Sequence, residues 1–113
     1  MTKREIKKLD GIWGKLVHER KPVCECCGKE NCRLEAHHIF TRSRRATRWD
    51  LENSLLLCSN CHKFSPVLSA HKSPRDFYKW LEQKKGKKWV DALEKKSNAI
   101  FKGNYEDILK TLI

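Results

Sequence analysis

Residues 54–62 read SLLLCSNCH. Ser54 and three leucines fit a short strand, and from Ser59 the chain fits a helix with Ser59 and Asn60 available for capping. Between them Cys58 and Cys61 stand at C-x-x-C spacing, so the strand delivers two thiols into the first turn of that helix. Two intervening residues let both sulfurs turn toward one ion. Upstream, CECCG at 24–28 repeats the spacing with Cys24 and Cys27, and Gly28 tolerates the tight backbone of a knuckle. Cys24, Cys27, Cys58 and Cys61 together suit a structural Zn²⁺ with four thiolate ligands.

The stretch between the knuckles is too long for a compact ribbon and must hold structure of its own. RLEAHHI at 33–39 fits a strand, and residues 40–53 are polar and arginine-rich, hence a loop. A zinc clamp would pin the first knuckle to the helix after Cys58. In a chain of 113 residues, such a staple can supply much of the folding free energy. Cys26 and Cys32 fall outside the spacing and read as free thiols, packed or exposed.

The flanks read as helices. TKREIKKLDGIWGKLVHE at 2–19 opens with Thr2 and Glu5 in a capping-box pattern and carries apolar residues at helical spacing. Gly11 and Gly14 weaken that helix, and Lys21-Pro22 ends it. Ser73 as N-cap and Pro74 at the first helical position start a second helix that Gly86 stops. Trp89, Val90, Leu93, Ile100 and Phe101 mark a third, and Asn104 with Asp107 caps a last one. Trp13, Trp80 and Trp89 sit among apolar neighbours and read as core; Trp49 reads as an anchor closing the arginine loop. The whole is read as one domain over 1–113. An N-terminal helix spans 1–22, a stapled core 23–68 and a helical extension 73–113.

The net charge is +11. It is uneven: +4 over residues 1–23, +1 over 24–62 and +6 over 63–113. Basic flanks around a balanced middle favour an anionic partner, nucleic acid first, and argue against a zinc domain built only for protein contacts. The loop TRSRRATRW at 41–49 holds Arg42, Arg44, Arg45 and Arg48 without an acid. Guanidinium forks match phosphate oxygens, which gives affinity rather than sequence readout. No apolar run reaches the ~20 residues that span a bilayer. MTKREIKKLD lacks the apolar stretch of a signal peptide, so the cysteines are read as lying in a reducing compartment.

With HHI at 37–39, Asn53 and CSNCH at 58–62 in register, the chain resembles the zinc-stapled branch of the HNH endonuclease family. KLDGIW at 8–13 and FYKWLEQKKG at 77–86 further resemble small phage HNH proteins, loosely the NinG type. The resemblance implies an α+β fold with a treble-clef-like ββα-metal core, in which a hairpin and a helix bracket a catalytic cation. It also implies DNA as partner, a bacterial or phage-infected cytoplasm as setting, and a homodimer or larger complex where both strands are cut. His37 and His62 fall on ligands of the catalytic cation, and His38 falls on the general base. Asn53 falls on the residue that braces the loop or completes the metal shell. A histidine at 37 where the family often has aspartate lowers the site's negative charge. The cation is then Mg²⁺, Mn²⁺, Ni²⁺, Co²⁺ or Zn²⁺. His18 reads as structural. His71 also reads as structural, yet it is the best extra candidate for a third ligand or phosphate contact. The competing reading is a zinc-stapled nucleic-acid-binding module without catalysis.

Overall fold

Alternating residues of one strand face two separate apolar layers, and that sets the architecture. The computed structural model describes all 113 residues. Strands β1 (Leu34–His38) and β2 (Ser54–Cys58) pair antiparallel, with His37 opposite Leu55 and His38 opposite Ser54. Every residue of β2 is buried. Leu55 and Leu57 pack with Phe77, Leu81, Val90 and Leu93, whereas Leu56 points the other way onto Leu9, Trp13, Val17, Trp49 and Leu112. A run of three leucines is therefore what a strand covered on both faces requires.

Helix α1 (Lys3–His18) forms the lower layer, and both bonds of the expected Thr2–Glu5 capping box are present. Its buried stripe is Leu9, Trp13 and Val17. Helix α5 (Tyr105–Leu112) closes the same layer, with Asn104 Oδ1 accepting from the Asp107 N–H at 2.9 Å as anticipated. Helices α3 (Pro74–Lys85) and α4 (Lys87–Ser97) cover the upper layer, joined through Gly86 at φ 92°, a left-handed turn that favours glycine. The expected α+β architecture is thus observed: a two-stranded sheet, helices at both ends and a four-cysteine cluster.

Four expectations change. The arginine loop is not structureless: Arg45–Arg48 make one helical turn, α2, whose Thr47 is buried completely. The helix after Cys58 is a single wide π turn, Asn60–Phe64, with no side-chain cap from Ser59. Ser73 precedes Pro74 but does not cap α3; its hydroxyl exchanges hydrogen bonds with the backbone of Ser69 instead. Helix α4 ends at Ser97, short of Ile100 and Phe101. Phe101 turns back onto Trp49, with ring centroids 5.9 Å apart, and Ile100 is left in solvent.

Candidate metal centre and active site

The two C-x-x-C turns are built alike. In each, the N–H of the second cysteine points at the sulfur of the first, Cys27 to Cys24 and Cys61 to Cys58, both at 3.5 Å. Gly28 lies at φ 77°, where its N–H reaches the Cys24 carbonyl at 2.8 Å. Glu25, inside the first knuckle, docks on the outer edge of β2. Its N–H donates to the Leu56 carbonyl at 2.8 Å, and its carboxylate accepts from the Leu56 N–H at 2.6 Å. The knuckle thereby satisfies an edge that would otherwise be free to pair with another chain.

All four sulfurs lie within 4.8 Å of one another. Tetrahedral Zn–S bonds of about 2.3 Å put neighbouring sulfurs about 3.8 Å apart, and Cys27 and Cys58 are separated by 3.8 Å. Burial opposes a Cys24 thiolate, but N–H groups of Cys27, Cys58 and Cys26 outweigh it and lower the thiol to about 7. Burial and the adjacent sulfurs push Cys61 upward. So dense a set of sulfurs fits a dication that offsets their mutual repulsion, and a structural zinc can be held here. Cys32 has only a 3.9 Å contact to the Lys29 carbonyl, and Cys26 is pushed up mainly by burial.

The second cluster is all imidazole. His37 projects from β1 toward His62, in the π turn, and His71, in the loop before α3. Their ring centroids are 4.5 to 6.0 Å apart, and one nitrogen of each lies within 4.8 Å of the others. Two backbone bonds bring His71 home: Ala70 N–H to the Cys61 carbonyl at 2.9 Å and His71 N–H to the His62 carbonyl at 3.0 Å. Glu35, two residues before His37 on the same strand face, accepts from His62 Nδ1–H at 2.9 Å. That bond leaves Nε2 of His62 to face the cluster, the arrangement by which carboxylates orient metal-binding histidines. Burial, then the neighbouring imidazoles, lowers His37 to about 3, and burial lowers His62 as well. Both are therefore neutral at physiological pH, the form that binds cations.

His38 points to the opposite layer. Its ring lies flat on Trp13, with centroids 3.8 Å apart and planes 8° off parallel. Its Nε2–H donates to the Arg48 carbonyl at 2.9 Å, so Nδ1 keeps a free lone pair. Burial lowers His38; the Arg48 carbonyl and the Asp10 charge work against that shift. Asp10 in turn forks Arg48 at 3.0 and 2.7 Å and accepts from Trp49 Nε1 at 2.9 Å. Helix α1 thus holds both the ring of His38 and the carbonyl that fixes its tautomer.

Asn53 sits at the base of the arginine loop. It is fully buried, donating to the Phe40 and Thr47 carbonyls at 3.0 and 3.1 Å and accepting from the Phe40 N–H at 2.8 Å. With its amide so engaged, it ties the two ends of the arginine loop together rather than reaching a substrate or cation. Arg48 departs from the phosphate-binding reading, because its guanidinium is held by Asp10. Arg42, Arg44 and Arg45 remain exposed, and Arg44 leans on Ser97 Oγ at 3.0 Å. If these exposed arginines bind phosphate, Arg44→Ala with Arg45→Ala should flatten the plot of log affinity against log salt by about two. An unchanged slope in fluorescence anisotropy titrations would remove them from the interface.

The sequence pattern did not single out Asp10 or Glu35, marked Trp13 as core alone, and gave His71 as structural first and a third ligand second. Of these, Glu35, on the same strand face as His37, left a further readable signal. His18 lies apart and ties α1 to β1 through the Leu34 carbonyl, 3.0 Å from Nε2.

Fold and site together define a small module in which paired thiolate knuckles hold a hairpin and a short helical turn, with imidazoles displayed between them. Residues 24–64 match the family model described as HNH endonuclease, so this segment is similar to that family. The match points to a nuclease or nucleic-acid-binding role and ends before His71 and all the C-terminal helices. Comparison with curated proteins and with solved structures returns no match. No helix is long and apolar enough to cross a membrane.

Proposed function

We propose that the protein is a metal-dependent endonuclease that hydrolyses phosphodiester bonds of DNA. The observation that carries this reading is the division of imidazoles by one strand. His37 joins His62 and His71 on one face, while His38 stands on the other with a free Nδ1. Hydrolysis needs a base for water on one side of phosphorus and stabilisation of the departing oxygen on the other, so two opposed sets of groups fit its geometry. His38 takes the proton from water. Trp13 keeps the ring in plane, and the Arg48 carbonyl keeps the proton on Nε2. His37, His62 and His71 hold the cation, with Glu35 orienting His62. When bound, a divalent cation supplies positive charge for the leaving and non-bridging oxygens. Three imidazoles suit Mn²⁺, Ni²⁺, Co²⁺ or Zn²⁺ more readily than Mg²⁺. Arg42, Arg44 and Arg45 hold the DNA backbone.

Supercoiled plasmid tests this. The zinc-loaded protein should yield nicked or linear product with Mn²⁺ or Ni²⁺ and none without an added cation. Intact plasmid under every cation would leave a zinc-stapled binding module as the reading. The pH dependence has a definite sign. A protonated imidazole neither accepts a proton nor binds a cation, and His37, His38 and His62 all lie below the usual 6.5. The acid limb of cleavage should therefore be centred below about pH 6.5, with activity rising to a plateau as pH increases through it. An acid limb centred above that value, in initial rates at saturating cation, would contradict the assignment.

A further inference from the structure

We propose that Phe64 and Val67 form a wedge that enters the base stack of duplex DNA beside the bond to be cut. The inference rests on the nuclease reading only for where that bond lies. Phe64 and Val67 are 59% and 78% exposed, two of the five large apolar side chains left in solvent. No other part of the chain places two such residues within four positions.

The loop is not loose. Its feet are His62 and His71, joined by the 3.0 Å bond from His71 N–H to the His62 carbonyl. Inside, Leu68 N–H reaches Ser65 Oγ at 3.2 Å, and Ser69 Oγ donates to the Ser65 carbonyl at 2.7 Å. Pro66, between the two apolar residues, fixes its own φ. The tip is thus ordered before any partner arrives, which lowers the entropy lost on insertion.

Charge selects the occupant. The chain has no acidic residue between Glu52 and Asp76, while Lys63, Lys72 and Arg75 flank the tip. Lys63 leans toward Glu35 at 3.7 Å; Lys72 and Arg75 make no ion pair. An apolar point ringed by cations suits the interior of a polyanion, where phosphates meet the lysines and opened base faces meet the phenyl ring. Opening a step is easier where pairing is already broken. The proposed substrate is therefore duplex DNA, with mismatched steps cut more readily than paired ones.

The test uses zinc-loaded full-length protein and duplexes carrying 2-aminopurine at successive positions, with Ca²⁺ as the divalent cation. Wild type should raise fluorescence several-fold at one or two positions, and Phe64→Ala/Val67→Ala should leave it near the free-DNA level. Phe64→Leu, which keeps an apolar point, should retain most of the signal. With Mn²⁺, the double variant should cut paired duplex about tenfold more slowly, but a mismatched duplex less than about threefold more slowly. Equal fluorescence from wild type and double variant would overturn the wedge. So would loss of self-association in the variant with unchanged fluorescence, which would make the patch a protein contact. If wild type opens the stack in a Phe64-dependent way yet cuts nothing with any cation, the wedge stands and the nuclease reading fails.

Discussion

Cys58→Ala should release the structural metal and unfold the chain. Cys58 is at once the last residue of β2, opposite Leu34, and one of four sulfurs within 4.8 Å of one another. Structural zinc sites of this kind contribute roughly 10–16 kcal/mol of apparent free energy. Domains of this size are stable by only about 5–15 kcal/mol. Losing even half of the metal's contribution thus removes most of the margin. The first knuckle should loosen too, because Glu25, which pairs with Leu56, sits between Cys24 and Cys27. Metal content by mass spectrometry and a far-UV melting curve check this together. An unshifted melt with the metal gone would mean that the layers around Leu55, Leu56 and Leu57 hold the fold unaided.

His38→Ala should stop cleavage while leaving the fold, the zinc and DNA affinity in place. Removing a positioned general base costs about 10²–10⁴ in rate. His38 is half-buried and belongs to neither cluster, its ring pointing away from His37, so the truncation leaves both metal sites built. It does expose one face of Trp13, a modest packing loss that thermal melts can separate from the catalytic one. Residual cutting within tenfold of wild type would assign the base elsewhere.

Most of the fold was legible in local patterns. The capping box at Thr2, the glycine stop at 86 and the asparagine cap at 104 act within a few residues of chain, so sequence spacing finds them. The leucine run announced a strand for the same reason. What escaped depends on long-range contacts. Phe101 leaves its helix because Trp49, far back in the chain, offers it a partner. Thr47 is buried because Asn53 gathers the arginine loop inward, turning polar sequence into a helical turn. Arg48 cannot be told from Arg44 or Arg45 by composition, yet Asp10 on α1 captures it alone.

The candidate site divides in the same way. His37, His38 and His62 stood out because a strand doublet and a knuckle histidine have recognisable spacing. His71 stood out only as an extra candidate, since it is the folded-back loop with its Cys61 and His62 backbone bonds that carries it to the cluster. Asp10 and Trp13 lie outside the family-matched segment and act on His38 across layers. They are visible only in three dimensions.

The central claim is that neighbouring histidines on one strand perform two tasks. A calorimetric Mn²⁺ titration of zinc-loaded His37→Ala and His38→Ala proteins, paired with plasmid cleavage by each, tests it most directly. His37→Ala should weaken Mn²⁺ binding by about 10-fold or more, and raising the cation concentration should restore part of its cleavage. His38→Ala should bind Mn²⁺ like wild type and cut at no concentration. If both variants lose Mn²⁺ equally, or if excess Mn²⁺ restores cutting to His38→Ala, the division of labour across the strand is wrong.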